Sequence, residues 1–256
     1  MQMHLSSRPH LTKSVFGPPS DFIAVVFSPV LAEWDEAAFC MPLLDLLVAR
    51  GYQVHVYDSL SLAQEGSTLH ATSEHWDAYL RTNHPQIDLA VGQAYGGALV
   101  NSLLSGFLKT CPRVLGLSAP TRCSAELQSN LASILMSLDT QGETAALHLL
   151  EHYVKPERND EYQPWPLTKL EESGVGQRLR IGFSQLIKAD ARSQVNNYTG
   201  HMLQIYGAAS RLVNIDSIIM SGDSRRQVAI GISSCGMRPV TEAPETALRL
   251  IADFLS

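Results

Sequence analysis

Basic charge is in short supply. Lysine and arginine number 19 against 25 aspartates and glutamates, a formal net charge of −6. The basic residues are scattered rather than clustered, which argues against a nucleic-acid-binding face. Cysteine is scarce too: Cys40, Cys111, Cys123 and Cys235 form no C-x-x-C pair and no paired framework, so free thiols in a reducing compartment are expected. No apolar run approaches the roughly 20 residues of a membrane span. Residues 1–8 lack the apolar core of a signal peptide. A soluble, cytoplasmic protein without nucleic-acid or membrane partners is the expectation. Histidine also stops early: the last of nine is His201, so nothing C-terminal to it can act through an imidazole.

What is present is apolar and periodic. The chain has 256 residues and is 45% hydrophobic, enough for a single α/β domain with an inserted cap. Residues up to Gly17 alternate loosely and suggest two edge strands, broken by Pro18 and Pro19. Phe22 to Phe27 is a continuous apolar run, as in a strand buried on both faces of a parallel sheet. Helical spacing spans Trp34 to Arg50, with Gly51 as C-cap. A strand at Gln53–Tyr57, a helix at Ser73–Arg81, a strand at Ile87–Val91, a helix at Tyr95–Leu108 and a strand at Arg113–Leu117 follow. This alternation predicts a mostly parallel sheet flanked by helices. From Ala119 to about Asp190 helical periodicity takes over. The expected organisation is a core of residues 1–118 and 191–256 with a helical cap at 119–190. Strands at His201–Gly207 and Val228–Ser233, a short helix near Ile215–Met220 and a final helix at Ala243–Leu255 complete the chain.

The stretch Val91-Gly92-Gln93-Ala94-Tyr95-Gly96-Gly97 joins a strand to a helix through three glycines. It has the form of the nucleophile elbow G-x-S-x-G with alanine in place of serine. On this motif and on the order of the surrounding elements, the chain resembles the α/β-hydrolase superfamily over nearly its whole length. The resemblance implies an oxyanion loop after the first core strand, which here reads Phe27-Ser28-Pro29-Val30 without the usual His-Gly. It implies a catalytic acid in a segment that here reads Gly207-Ala208-Ala209-Ser210-Arg211-Leu212-Val213. It implies a base in a segment that here reads Gly236-Met237-Arg238-Pro239. The nucleophile, acid and base positions are thus Ala94, Ser210 and Met237. Alanine cannot attack a carbonyl, serine is neutral, and a thioether has no proton to exchange.

Other candidates have bland readings beside the sharp ones. Gly222-Asp223 is a second acid turn, with Asp223 as alternative acid, but it leaves little chain for a helix before Val228. His148-Leu149-Leu150-Glu151-His152 spells H-x-x-E-H, a zinc pattern that lacks a third ligand and reads equally as a polar helix face. Cys235 is two residues from Met237 and could face the pocket, although an inert buried thiol is the simpler reading. His55 and Asp58 are read as structural. Tyr95 offers its N–H to the old oxyanion position, and its ring to packing.

A cleft above the carboxyl ends of the strands, roofed by the cap, is expected. Its expected lining is Ser28, Val30, Ala94, Tyr95, Met136, Trp165 and Met237, with Leu135, Leu138 and Tyr153 making the cap apolar. Neither cofactor nor metal is expected. Three functions follow. The first is a non-hydrolytic protein holding an apolar or acyl-type ligand or a protein partner. The second is a lyase, cyclase or isomerase that does without the triad. The third is a thioesterase-like hydrolase with relocated residues.

Overall fold

The computed structural model describes residues 11–156, 174–220, 223 and 225–256. Seven strands form one sheet: β1 (Lys13–Phe16), β2 (Ile23–Phe27), β3 (Gln53–Tyr57), β4 (Leu89–Gln93), β5 (Arg113–Leu117), β6 (His201–Gly207) and β7 (Gln227–Ile232). Their order is β1-β3-β2-β4-β5-β6-β7, and only β1 runs antiparallel to its neighbour. Strand β4 is central. Val91 pairs with Val26 on one side and Leu115 on the other, and all five of its residues are buried. That burial explains why the strand reads as an unbroken apolar run rather than an alternation.

The helices are α1 (Met41–Ala49), α2 (Leu69–Asn83), α3 (Tyr95–Leu103), α4 (Ala125–Gln141), α5 (Glu143–Val154), α6 (Val175–Ile187), α7 (Arg192–Asn197), α8 (Pro239–Glu242) and α9 (Pro244–Phe254). One face of the sheet is covered by α1, α8 and α9, which contribute Leu43, Leu47, Val240 and Ile251 to a core. The other is covered by α2, α3 and the β5–β6 helices α4 to α6, whose core residues include Trp76, Leu99, Leu131, Leu179 and Phe183. Among the described residues, no helix is long and apolar enough to cross a membrane.

Several boundaries depart from the expected ones, each for a local reason. The expected helix over Trp34–Arg50 begins only at Met41. Glu36 and Ala37 adopt positive φ, and the Asp35 carboxylate accepts from the N–H groups of Ala37 and Phe39, which fixes a turn instead. Pro42 then occupies the first turn of α1, where its missing N–H costs nothing. Helix α2 begins earlier than Ser73, because the Thr68 hydroxyl accepts from the Ala71 N–H as an N-cap. Helix α3 stops at Leu103 before a separate short turn at Phe107–Thr110. Near Ile215 only a single 3-10 turn forms, Ile215–Ser217. Of two expected edge strands before Gly17, one lies in the described residues.

Candidate functional site

Ala94 stands between β4 and α3 at φ 49°, ψ −113°. A non-glycine residue there is strained, and neighbouring packing must hold it. The glycines supply that packing. A Cβ on Gly92 would lie 2.5 Å from the Gly96 carbonyl oxygen, and one on Gly96 would lie 2.3 Å from the carbonyl oxygen of Phe27. The Ala94 N–H donates to Leu117 O at 3.0 Å, which ties the elbow to the end of β5. The next residue, Ser118, is itself at φ 46° and buried, and its hydroxyl meets no partner among the described residues. Ala94 remains half-buried, above the strand ends.

The two other positions touch each other. Ser210 follows β6 and Met237 follows β7, so both lie at the carboxyl ends of parallel strands, as Ala94 does. The Ser210 hydroxyl donates to Met237 Sδ at 3.2 Å, and the Val213 N–H points to the same sulfur at 3.4 Å. Both side chains are buried, and Met237 and Ala94 belong to the same apolar cluster as Leu149, Leu150 and Tyr153 of α5. The loop is joined to α5 directly. The Met237 N–H donates to Val154 O at 3.0 Å, and a Cβ on Gly236 would lie 2.4 Å from that oxygen.

On the opposite side, α6 lies across the core. Arg178, Gly182 and Gln185 share one helix face. Arg178 makes a two-pronged ion pair to Asp58, both bonds 2.9 Å, and donates from Nε to Leu31 O at 2.7 Å. Gly182 lies against Val30, so close that a Cβ would come within 2.3 Å of Val30 Cγ2. Gln185 Oε1 accepts from the Tyr95 hydroxyl at 2.7 Å and from Thr72 at 3.1 Å, and its amide donates to Ser67 at 2.8 Å. Burial, with the Asp58 charge adding to it, raises the Tyr95 phenol above its ordinary pKa, so it stays protonated and donates. Sequence reading missed Arg178, Gly182 and Gln185. Their i, i+4, i+7 spacing marks a shared face, but nothing in it names the loops that face meets. Asp58 is buried in an ion pair with Arg178.

Several expected residues are placed elsewhere. Met136 is 62% exposed and lines an outer groove of about 710 Å³ between α4 and α5, together with Ser133, His148 and His152; this corrects its placement as cleft lining. Its position on the solvent face of α4 is the reason, because the buried face carries Leu127, Leu131, Ile134 and Leu138. Ser28 is fully buried, and its hydroxyl accepts from the Ser59 N–H at 3.1 Å, so the side chain is committed to a neighbouring loop. Trp165 lies outside the described residues. Cys235 belongs to the core on the opposite face, with burial, and then Glu242, pushing its thiol pKa up. Asp223 sits at the N-terminal start of β7, where Arg226 donates to its backbone and pairs with its carboxylate at 3.6 Å; it is therefore at the end of the sheet away from Ala94. In the H-x-x-E-H segment, Glu151 pairs with Arg238 and His152 contacts Arg211. Among the described residues no group of three or more His, Cys, Asp or Glu is arranged to hold a metal ion.

His55, read as structural, belongs to a cluster at the β1–β3 edge. Its ring packs edge-on against His84 at 4.8 Å, and the Tyr57 hydroxyl meets His84 Nε2 at 2.7 Å. Burial first, then His55 and Lys13, lower the His84 pKa to about 4. The ring is neutral near pH 7, and Nε2 accepts from the protonated phenol.

No family model matches the chain, and no curated protein matches it. Solved structures do. An α/β-hydrolase enzyme from a Medee basin deep-sea metagenome library superimposes with TM-score 0.76 at 14% identity, covering 95% of this chain and 93% of that one. An esterase from Exiguobacterium antarcticum gives TM-score 0.73 at 11% identity, with 96% and 95% coverage. A bromoperoxidase from Bacillus anthracis gives 0.69 at 15% identity, again with 96% and 95% coverage. The chain has the α/β-hydrolase fold.

Proposed function

We propose that this chain, built on the α/β-hydrolase fold, is a non-hydrolytic protein that holds an apolar or acyl-type ligand in the cleft beside Ala94. One observation carries the reading: the hydroxyl at the acid position donates to the thioether at the base position, and the elbow bears only a methyl group. Hydrolysis needs a nucleophile, a base to take its proton and an anion to orient that base. None of the three side chains can fill those roles. The apolar character proposed for the ligand follows from the core on this face of the sheet, to which Ala94, Val30, Met237, Leu149, Leu150 and Tyr153 all belong. A protein segment presenting an apolar side chain is the other occupant this lining accepts.

The neighbours' names, a hydrolase, an esterase and a bromoperoxidase, keep a catalytic role as a second reading, and with no serine at the elbow that role would be triad-independent, as in a lyase, cyclase or isomerase. That chemistry needs an acid–base pair facing the ligand. The carboxylates of Asp58 and Glu151 are each paired with an arginine, Arg178 and Arg238.

The test combines turnover with binding. Aryl esters and thioesters of increasing acyl length should show no hydrolysis above background, and a fluorophosphonate probe should leave the protein unlabelled. Fatty acids and acyl thioesters of increasing length, titrated in a thermal-shift assay, should raise the melting temperature with chain length, and Met237→Asp should abolish the shift. Esterase turnover with a labelled serine overturns the proposal, and so does the lack of any shift across the series.

A further inference from the structure

Ala94 has a neighbour with the same unusual backbone. Gln93 and Leu117 are register partners on β4 and β5, and the residues that follow them, Ala94 and Ser118, have φ of 49° and 46°. The ladder is intact up to both: the Ala94 N–H donates to Leu117 O at 3.0 Å, and the Ser118 N–H to Ile205 O at 2.8 Å. Adjacent strands lie about 4.8 Å apart, so the two residues stand side by side at the carboxyl edge of the sheet.

Their φ sets where the side chains go. In a parallel strand φ is about −120° and Cβ stands on a face of the sheet. Turning φ to 46° swings the Ser118 Cβ round to roughly the line the main chain would have followed. The side chain then runs on past the end of the strand while the backbone turns away. The next residue shows that turn: Ala119 packs on α3, where a Cβ on Gly97 would lie 2.1 Å from the Ala119 Cβ. The Ser118 hydroxyl is thus carried off the end of β5, beside the Ala94 methyl group.

That hydroxyl is fully buried, and Oγ bonds to nothing among the described residues. A buried hydroxyl without a partner is destabilising, and so is positive φ at a non-glycine residue. Glycine would remove both costs, so keeping serine here needs a use for its oxygen. Another buried oxygen without a partner, Gln204 Oε1, lies over Gly116, two residues back along β5, and does not meet Ser118.

We propose that the Ser118 hydroxyl is the polar anchor of the cleft and donates to a neutral carbonyl oxygen of the ligand. The inference rests on the reading of the cleft as a ligand site. It names the group the ligand presents there, the carbonyl of an ester, thioester or ketone. Such an oxygen takes the hydroxyl proton and carries no donor of its own to satisfy. A carboxylate suits the place less, because a buried anion needs a cation beside it, and Ala94, Ser210 and Met237 offer no charge. The Ser118 hydroxyl is bonded to no base, so it holds the carbonyl without attacking it.

The test uses the full chain and two probes of one length, S-methyl decanethioate and decyl methyl sulfide, which differ only in a carbonyl against a methylene. Each is titrated by calorimetry. Ser118→Ala should weaken binding of the thioester roughly three- to tenfold, the worth of one net hydrogen bond, and leave binding of the sulfide unchanged. Alanine suits the backbone there, since Ala94 adopts nearly the same φ. Ser118→Gly, free of that strain, should give the same split and decides the matter if the alanine variant misfolds. The infrared carbonyl stretch of isotope-labelled thioester should be lowered in the wild-type complex and return in both variants to its value in an apolar solvent. Thioester binding and a carbonyl stretch that the variants leave unchanged overturn the anchor and leave the apolar cleft standing. Equal weakening of both probes also overturns it, since a loss of packing does that. Binding of neither probe to the wild-type chain overturns the anchor together with the ligand reading beneath it.

Discussion

The backbone at Ala94 allows a quantitative test, through Ala94→Gly. At φ 49° and ψ −113° an alanine lies outside the left-handed well as well as the two common regions. Strain of this kind costs about 1–3 kcal/mol, and glycine relieves most of it. Against that, glycine adds about 0.5–1 kcal/mol of unfolded-state entropy. The half-buried methyl group gives up roughly 0.4 kcal/mol more, half the value of a fully buried carbon. The net is a gain of about 1 kcal/mol, or about 2–4 °C in melting temperature for a chain of this size. Ala37→Gly is the internal comparison. Ala37 also has positive φ, at 76°, but its ψ of 15° is close to the left-handed well and its methyl is fully buried. Its relief is smaller and its lost burial larger, so that variant should be neutral or less stable. Urea denaturation with an unchanged m-value, supported by calorimetry, measures both. If Ala94→Gly lowers stability by 1 kcal/mol or more at constant m, the reasoning from backbone strain is wrong.

Two further outcomes follow from the same site and from the His84 cluster. Ala94→Ser alone should stay inert to fluorophosphonate and to esters, because a hydroxyl at 94 has no base to take its proton and triad members act as a unit. The triple change Ala94→Ser, Ser210→Asp, Met237→His is the smallest set that restores all three groups, and rapid labelling of the single variant would show that another base exists. His84 sets a pH dependence: its folded pKa of about 4 lies below the unfolded value near 6.5, so its contribution to stability is present above 6.5 and is lost as pH falls from there towards 4. His84→Gln should flatten that part of the stability–pH curve, measured by urea titration, and an unchanged slope would remove His84 as the cause.

Much of the architecture was legible because β2, β4 and β5 are buried on both faces and therefore read as unbroken apolar runs. The elbow was legible because close backbone contacts at Gly92 and Gly96 admit no Cβ, so the glycines mark the turn whatever stands at 94. The direct contact between Ser210 and Met237 was not, since two residues 27 apart give no sign of which rotamers meet. Helix starts were misjudged wherever a side chain competed for the backbone, as Asp35 does before α1 and Thr68 before α2. Met136 lies off the α4 stripe of Leu127, Leu131, Ile134 and Leu138, so helical spacing itself sets it on the solvent face. Arg178 and Gln185 went unread because their partners lie 120 and 90 residues away.

Those separations bear on how the protein is made. Asp58 leaves the ribosome 120 residues before the arginine that neutralises it. Val30 precedes Gly182, which packs against it, by a longer stretch still. At synthesis rates of about 5–20 residues per second, the Asp58 carboxylate stays in water for roughly 6–24 s before its partner exists. β6 and β7 emerge later again. The first five strands can pair while the chain is being translated, but the surroundings of Ala94 cannot close until Met237 has been released. The region above the elbow is thus assembled from segments made long after the elbow itself.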